Sequence, residues 1–192
     1  MKANKDLPVL LFKSEKEWER WLDKNYSKSS GIWMKIAKKE TGIKSIYYPE
    51  ALDTALCYGW IDGQKKPFDN TFWLQKFTHR LSKSKWSKKN RNMADELIKL
   101  GKMKPEGQKE IDLAKKDGRW EAAYESQRNI GIPEDFQNKM DENPGTLEFF
   151  NSLNKVNKYA ILYRIHDAKR PETRIQRIEK FIQMLKEKKK IH

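Results

Sequence analysis

Apolar residues fall along this chain in two rhythms, and the change between them predicts the architecture. Residues 7–12 form a short apolar run that reads as a strand. Residues 31–38 alternate as a second strand, with Ile32, Met34 and Ile36 on one face and Trp33, Lys35 and Ala37 on the other. Residues 60–66 and 71–78 flank the turn Pro67-Phe-Asp-Asn70 and predict a hairpin. Two helices interrupt these strands. Ser14 followed by Glu17 is a capping box, and Trp18, Trp21 and Leu22 continue it as an i, i+3, i+4 stripe to about residue 25. Pro49 suits the first turn of the other helix, whose buried face is Ala51, Leu52, Ala55 and Leu56 and whose stop signal is Gly59.

Beyond Trp86 every apolar spacing is helical. Ser87 caps a helix striped by Met93, Ala94, Leu97 and Ile98 and ended by Gly101. Pro105 opens the next, with Ile111 and Ala114 inward and Gly118 as its stop. Pro133 and Pro144 mark two short helices, anchored by Phe136/Met140 and by Leu147/Phe150/Leu153. Asn154 opens a helix with Val156, Tyr159, Ala160 and Tyr163 at core spacing, and Pro171 opens the last, with Ile175, Ile178, Ile182 and Leu185. Strands followed by helices predict an α+β protein: a small, mainly antiparallel N-terminal sheet with flanking helices, then an all-helical C-terminal half. The break near Gly101–Pro105 divides the chain into a sheet region that holds the candidate pocket, 1–103, and a helical region, 104–192. The elbow Gly131-Ile-Pro133 is a second candidate boundary.

Composition narrows the class. The chain has 192 residues, 37% of them hydrophobic, and its 22 aromatics argue for a folded core. Its single cysteine, Cys57, excludes an internal disulfide framework and a cysteine-rich zinc site. No apolar stretch approaches the ~18 residues of a membrane span, and residues 1–6 lack the apolar run of a signal peptide. The expected location is the cytoplasm.

Net charge is +14, unevenly spread: +2 over residues 1–64, +9 over 65–104, −3 over 105–163 and +6 over 164–192. Basic blocks of this kind attract nucleic acid, phosphorylated ligands or anionic lipid, or else form a solvated surface. Lys65, Lys66, Lys76, Arg80, Lys83, Lys85, Lys88, Lys89 and Arg91 surround Trp73, Phe77 and Trp86. Cations for phosphates and aromatic faces for unpaired bases are the ingredients of single-strand binding, although some of those aromatics must also build the sheet core.

The residues with most chemical potential lie on and after the hairpin. Alternation places Trp60, Asp62 and Gln64 on one face of their strand, and a carboxylate there needs donors. Gln75, Thr78, Arg80, Ser87 and Asn90 could supply them. Two readings follow. Asp62 and Arg80 form a structural salt bridge, or Trp60, Asp62, Gln64, Arg80, Trp86, Lys88 and Asn90 line a pocket for an anionic ligand. Asp53, Asp62 or His79 could serve an enzyme as acid or base. A lone His without a second ligand at recognisable spacing argues against a metal, and no nucleotide, hydrolase or metalloprotease motif implies a cofactor. Nothing in the sequence specifies an oligomeric state.

Read together, Ala55-Leu-Cys-Tyr-Gly-Trp-Ile-Asp-Gly63, Phe77-Thr-His-Arg80, Trp86-Ser-Lys-Lys-Asn90, Gly101-Lys-Met-Lys-Pro105, Asp117-Gly-Arg-Trp120 with Ala123-Tyr124, and Ala168-Lys-Arg-Pro-Glu-Thr-Arg174 resemble the YdeI/OmpD-associated, or bacteriocin-protection, family. The resemblance implies a bacterial, cytosolic protein linked by name to tolerance of cationic antimicrobial peptides. It carries over no catalytic residue and no cofactor. Many relatives have Pro where this chain has His79, which counts against a shared role for that imidazole.

Overall fold

In the computed structural model, which describes residues 7–192, the predicted strands form one sheet. β1 (Val9–Leu11), β2 (Ile32–Ala37), β3 (Trp60–Pro67) and β4 (Phe72–His79) lie in the order β1-β2-β4-β3. The β3–β4 and β2–β4 pairs are antiparallel, as expected, while β1 runs parallel to β2 across the intervening helix α1 (Glu15–Asn25). A parallel neighbour needs such a crossover, whereas a hairpin needs only a turn.

Register assigns every strand residue to a face. Ile32, Met34 and Ile36 share one face with Phe77, Gln75 and Trp73, and α1 and α2 (Tyr48–Cys57) supply the aromatic and apolar groups packed there. Trp18 of α1 is fully buried, tilted against Phe77 at 5.7 Å and edge-on to Trp60 at 6.1 Å. Its indole N–H donates to the Ala51 carbonyl at 3.1 Å, and that of Trp60 donates to the Tyr26 carbonyl at 3.2 Å. Burying an indole without such an acceptor would leave a polar group unsatisfied. Ser14 caps α1 as predicted, its Oγ accepting from the Glu17 N–H.

One departure from alternation changes the site. Between Asp62 and Lys65 the β3–β4 register shifts, so β3 carries an extra residue at Gly63–Gln64. Asp62 pairs with Phe77 and Lys65 with Gln75, which puts Lys65, not Gln64, in line with Asp62. The buried Gln75 amide fills the gap, donating to the Gly63 carbonyl at 3.0 Å and the Gln64 carbonyl at 3.3 Å. Gln75 therefore serves the bulge rather than the Asp62 carboxylate.

α3 (Lys88–Lys99) and α4 (Pro105–Lys116) follow. A Cβ at Gly107 would stand 2.4 Å from the Cys57 carbonyl oxygen, so only glycine lets α4 approach the end of α2 this closely. Contacts divide the chain into two compact units. The first runs to Trp86 and resumes over Asn90–Ala122, so it includes α4 and extends past the break near Gly101–Pro105. The second comprises Ser87–Lys89 and Ala123–His192.

The second unit is built from α5 (Glu134–Asp141), α6 (Thr146–Ser152), α7 (Lys155–His166) and α8 (Pro171–Lys186). Phe136, Phe150, Ile161, Phe181 and Leu185 are among its core. The buried side of α7 is Asn157, Ala160, Ile161, Leu162 and Ile165, while Val156 and Ile175, expected inward, are exposed. Asn157 explains the rotation of α7: its Oδ1 accepts from the backbone N–H groups of Ile191 and His192 at 2.9 and 3.0 Å.

Candidate functional site

The other face of the sheet is the most distinctive surface of the first unit. Register places Trp33 and Lys35 of β2, Phe72 and Lys76 of β4, and Lys66 of β3 on it. Val9 and Leu11 of β1 share this face and are exposed, as is Phe68 at the hairpin tip. The rings and cations alternate. The Lys66 ammonium stands 4.2 Å from the centre of the Trp33 ring. That of Lys35 stands 4.4 Å from Phe68 and 5.5 Å from Phe72. No strand position on this face carries a carboxylate. The nearby Asp69 belongs to the turn, where Oδ1 accepts from Thr71 and from the Phe72 N–H at 2.7 Å. Those bonds and Lys35 hold its carboxyl below the usual range.

The seven residues expected to form a pocket lie in different settings. Trp60 is a core residue, fully buried against α1. Asp62 is half-buried and accepts from the Tyr48 hydroxyl at 2.7 Å, and burial together with this carboxylate raises the phenol's pKa. Gln64 is exposed on the far side of the bulge. Arg80 is only 6% exposed, with its guanidinium 3.5 Å from the centre of the Trp86 ring and Nη1 donating to the Lys85 carbonyl at 3.3 Å. Trp86 is buried edge-on to Trp120 at 4.8 Å. Asn90 is half-buried near the start of α3. Lys88 belongs to the second unit, where it forms an ion pair with Glu125 at 2.6 Å. Asp62 thus meets Tyr48, and the Arg80 guanidinium sits over the Trp86 ring.

The three groups considered for acid–base work are also dispersed. His79 lines a cleft of about 420 Å³ with Tyr26, Tyr58, Glu106 and Glu110, its ring 5.0 Å from that of Trp60. A hydrogen bond to Glu106 raises the Tyr26 pKa. Asp53 lines a different cavity, of about 320 Å³, beside Cys57 and Lys104. There burial, reinforced by Asp53, pushes the Cys57 thiol up to about 11, which leaves it protonated and unreactive at neutral pH. A third cavity, of about 500 Å³, is lined by Lys13, Lys38, Lys39 and Lys44 together with Glu15 and Glu50. Among the described residues no three His, Cys, Asp or Glu side chains group to hold a metal ion, and no helix is long and apolar enough to cross a membrane.

Comparison with protein families places these features. A family model described as Domain of unknown function (DUF8412) matches residues 10–110, more than half of the chain. The chain belongs to the DUF8412 family. Residues 129–188 match a second model, described as Bacteriocin-protection, YdeI or OmpD-Associated, so the chain also carries a YdeI/OmpD-associated domain. No curated protein and no solved structure matches the chain. The DUF8412 part holds β2, β3, β4, the hairpin bulge and the basic aromatic face. The YdeI/OmpD-associated part holds α5 to α8. Of the stretches that carry the sequence resemblance, Ala168–Arg174 lies within the YdeI/OmpD-associated match, whereas those from Ala55 to Pro105 lie within DUF8412.

Proposed function

We propose that this protein is a cytoplasmic, non-enzymatic binding protein that engages an anionic partner through the basic aromatic face of its sheet. The observation that supports this reading is the pairing of Lys66 with Trp33 and of Lys35 with Phe68 and Phe72 on a face where no strand position carries a carboxylate. Ammonium groups held over ring faces occupy defined positions yet remain free to turn toward a negative charge. Lys76 adds a further cation to this face, whereas Lys65 points to the opposite one beside Trp73, and Trp60, Arg80 and Trp86 are buried within the fold. Asp62 is directed to the opposite face of the sheet, in line with Phe77.

The YdeI/OmpD-associated domain suggests a stress or bacteriocin-protection role. A chain of net charge +14 repels cationic peptides, so the protection it gives would be indirect, through the anionic partner. The test is retention on immobilised heparin. The Lys35→Gln/Lys66→Gln variant should elute at clearly lower salt than the unaltered protein while melting at the same temperature. Equal elution of the two would refute this face as the anion site.

A second reading makes the protein a small-molecule enzyme. Its support is the His79 cleft, which brings an imidazole, two phenols and two carboxylates to one opening. In that case His79→Gln abolishes a turnover found by substrate screening and leaves heparin retention unchanged.

A further inference from the structure

Resting on the anion-binding reading, we infer that the partner of the sheet face is single-stranded nucleic acid. An anion site for a small ligand needs converging charges in a concavity. Here the charges are instead spread over a sheet and separated by rings. Trp33 and Ala37 lie four residues apart on β2, and Phe72 pairs with Ala37. At about 3.3 Å per residue, Trp33 and Phe72 therefore stand roughly 13 Å apart along the strands. Phe68 extends the row at the hairpin tip, where it is 46% exposed. A row of separated aromatic faces suits bases that are splayed out one by one, with about two or three bases stacked on a four-stranded sheet as other sheet-based readers do. A duplex keeps its bases stacked inside and offers such rings nothing to stack on.

The lysines fit the same ligand. Lys66 and Lys35 sit over the rings that a base would cover. As a base arrives, each ammonium moves aside to the adjoining phosphate, so a stacked base takes its place over the ring and the cation meets a full negative charge. A cation over an exposed ring is the weaker interaction of the two, and the neutralised phosphates release counterions. The exchange therefore favours the bound state. A polyanion without bases, such as heparin, would draw the lysines away and leave the rings bare.

The experiment compares anisotropy titrations of a labelled mixed-sequence single strand, its duplex and labelled heparin, using the full chain and the variants Trp33→Ala, Phe68→Ala and Lys66→Gln. The single strand should bind at least about ten-fold more tightly than the duplex. Trp33→Ala should weaken it by about five-fold or more without affecting heparin, in line with the loss of one stacked base. Phe68→Ala, at an exposed tip where folding is not at issue, should act in the same direction. Lys66→Gln should weaken both polyanions and lower the salt slope by about one. Equal affinity for single strand, duplex and heparin, or ring variants that weaken heparin as much as the single strand, would overturn this inference and leave the anion reading standing. Binding to none of the three would overturn both.

Discussion

The two faces of the sheet are made from the same residue types and put them to opposite uses. On the inner face Trp60 and Phe77 are fully buried, and the buried indoles of Trp18 and Trp60 each donate to a backbone carbonyl. On the outer face Trp33 and Phe72 are half-buried and are covered by lysine ammonium groups. What separates them is the partner each ring can reach, which follows from strand register. Aromatic content by itself is therefore no evidence of either core or binding surface, and the contrast can be broken experimentally.

The largest expected effect is on the inner face. Trp60→Ala should cost about 3–5 kcal/mol, as large-to-small changes in a packed core do. Trp33→Ala should cost about 1 kcal/mol, because a half-buried ring gives up far less area. Urea denaturation of both variants checks this, and similar losses would erase the distinction between the faces. Arg80→Lys comes next. It keeps the charge but removes the flat guanidinium from the Trp86 ring, and should cost about 1–2 kcal/mol with heparin retention unchanged. If Arg80→Lys instead releases the polyanion at lower salt without melting earlier, Arg80 is a binding residue and its burial has been misread.

How far these faces were legible in the sequence depended on the kind of signal. The split of β2 into Ile32, Met34 and Ile36 against Trp33, Lys35 and Ala37 is plain from alternation, because nothing interrupts the strand. The same argument applied to β3 misplaced Gln64. The bulge resets the count after Asp62, and the glycine at 63 was its only trace. Trp60 and Trp86 looked like pocket walls because they sit beside polar residues, yet their neighbours in space are Trp18, Trp21 and Trp120. Such tertiary neighbours leave no local mark. The cation–ring pairs were invisible for the same reason: Lys66 and Trp33 are far apart in sequence and meet only across two strand pairings.

A smaller effect tests the polar margin of the inner side. Tyr48→Phe removes the hydroxyl that Asp62 accepts from at 2.7 Å, and should cost about 1–1.5 kcal/mol. Polyanion binding should not change. A tighter grip on heparin in Tyr48→Phe would instead mean that Asp62 limits access to the hairpin, and the inner side would no longer be purely structural.

The smallest effect concerns charge. The inner side and the helices on it keep several ionisable groups neutral: burial raises the phenols of Tyr48 and Tyr58, the latter also bonded to Asp23, and pushes Cys57 up to about 11. The outer face depends on cations that meet water. For a thiol raised in the folded state, the unfolded chain ionises first. Its contribution to stability is therefore complete below the ordinary thiol range near pH 9 and is lost as pH rises through about 11. Relative to Cys57→Ala, the unaltered protein should lose on the order of 1 kcal/mol between those limits, with no pH-dependent difference between the two below them. The tyrosines add losses at higher pH that both proteins share, so the difference between the two melting series isolates the thiol. A constant difference across the whole range would mean that Cys57 is solvated, and that this part of the first unit is as open to water as the sheet face that carries Lys35 and Lys66.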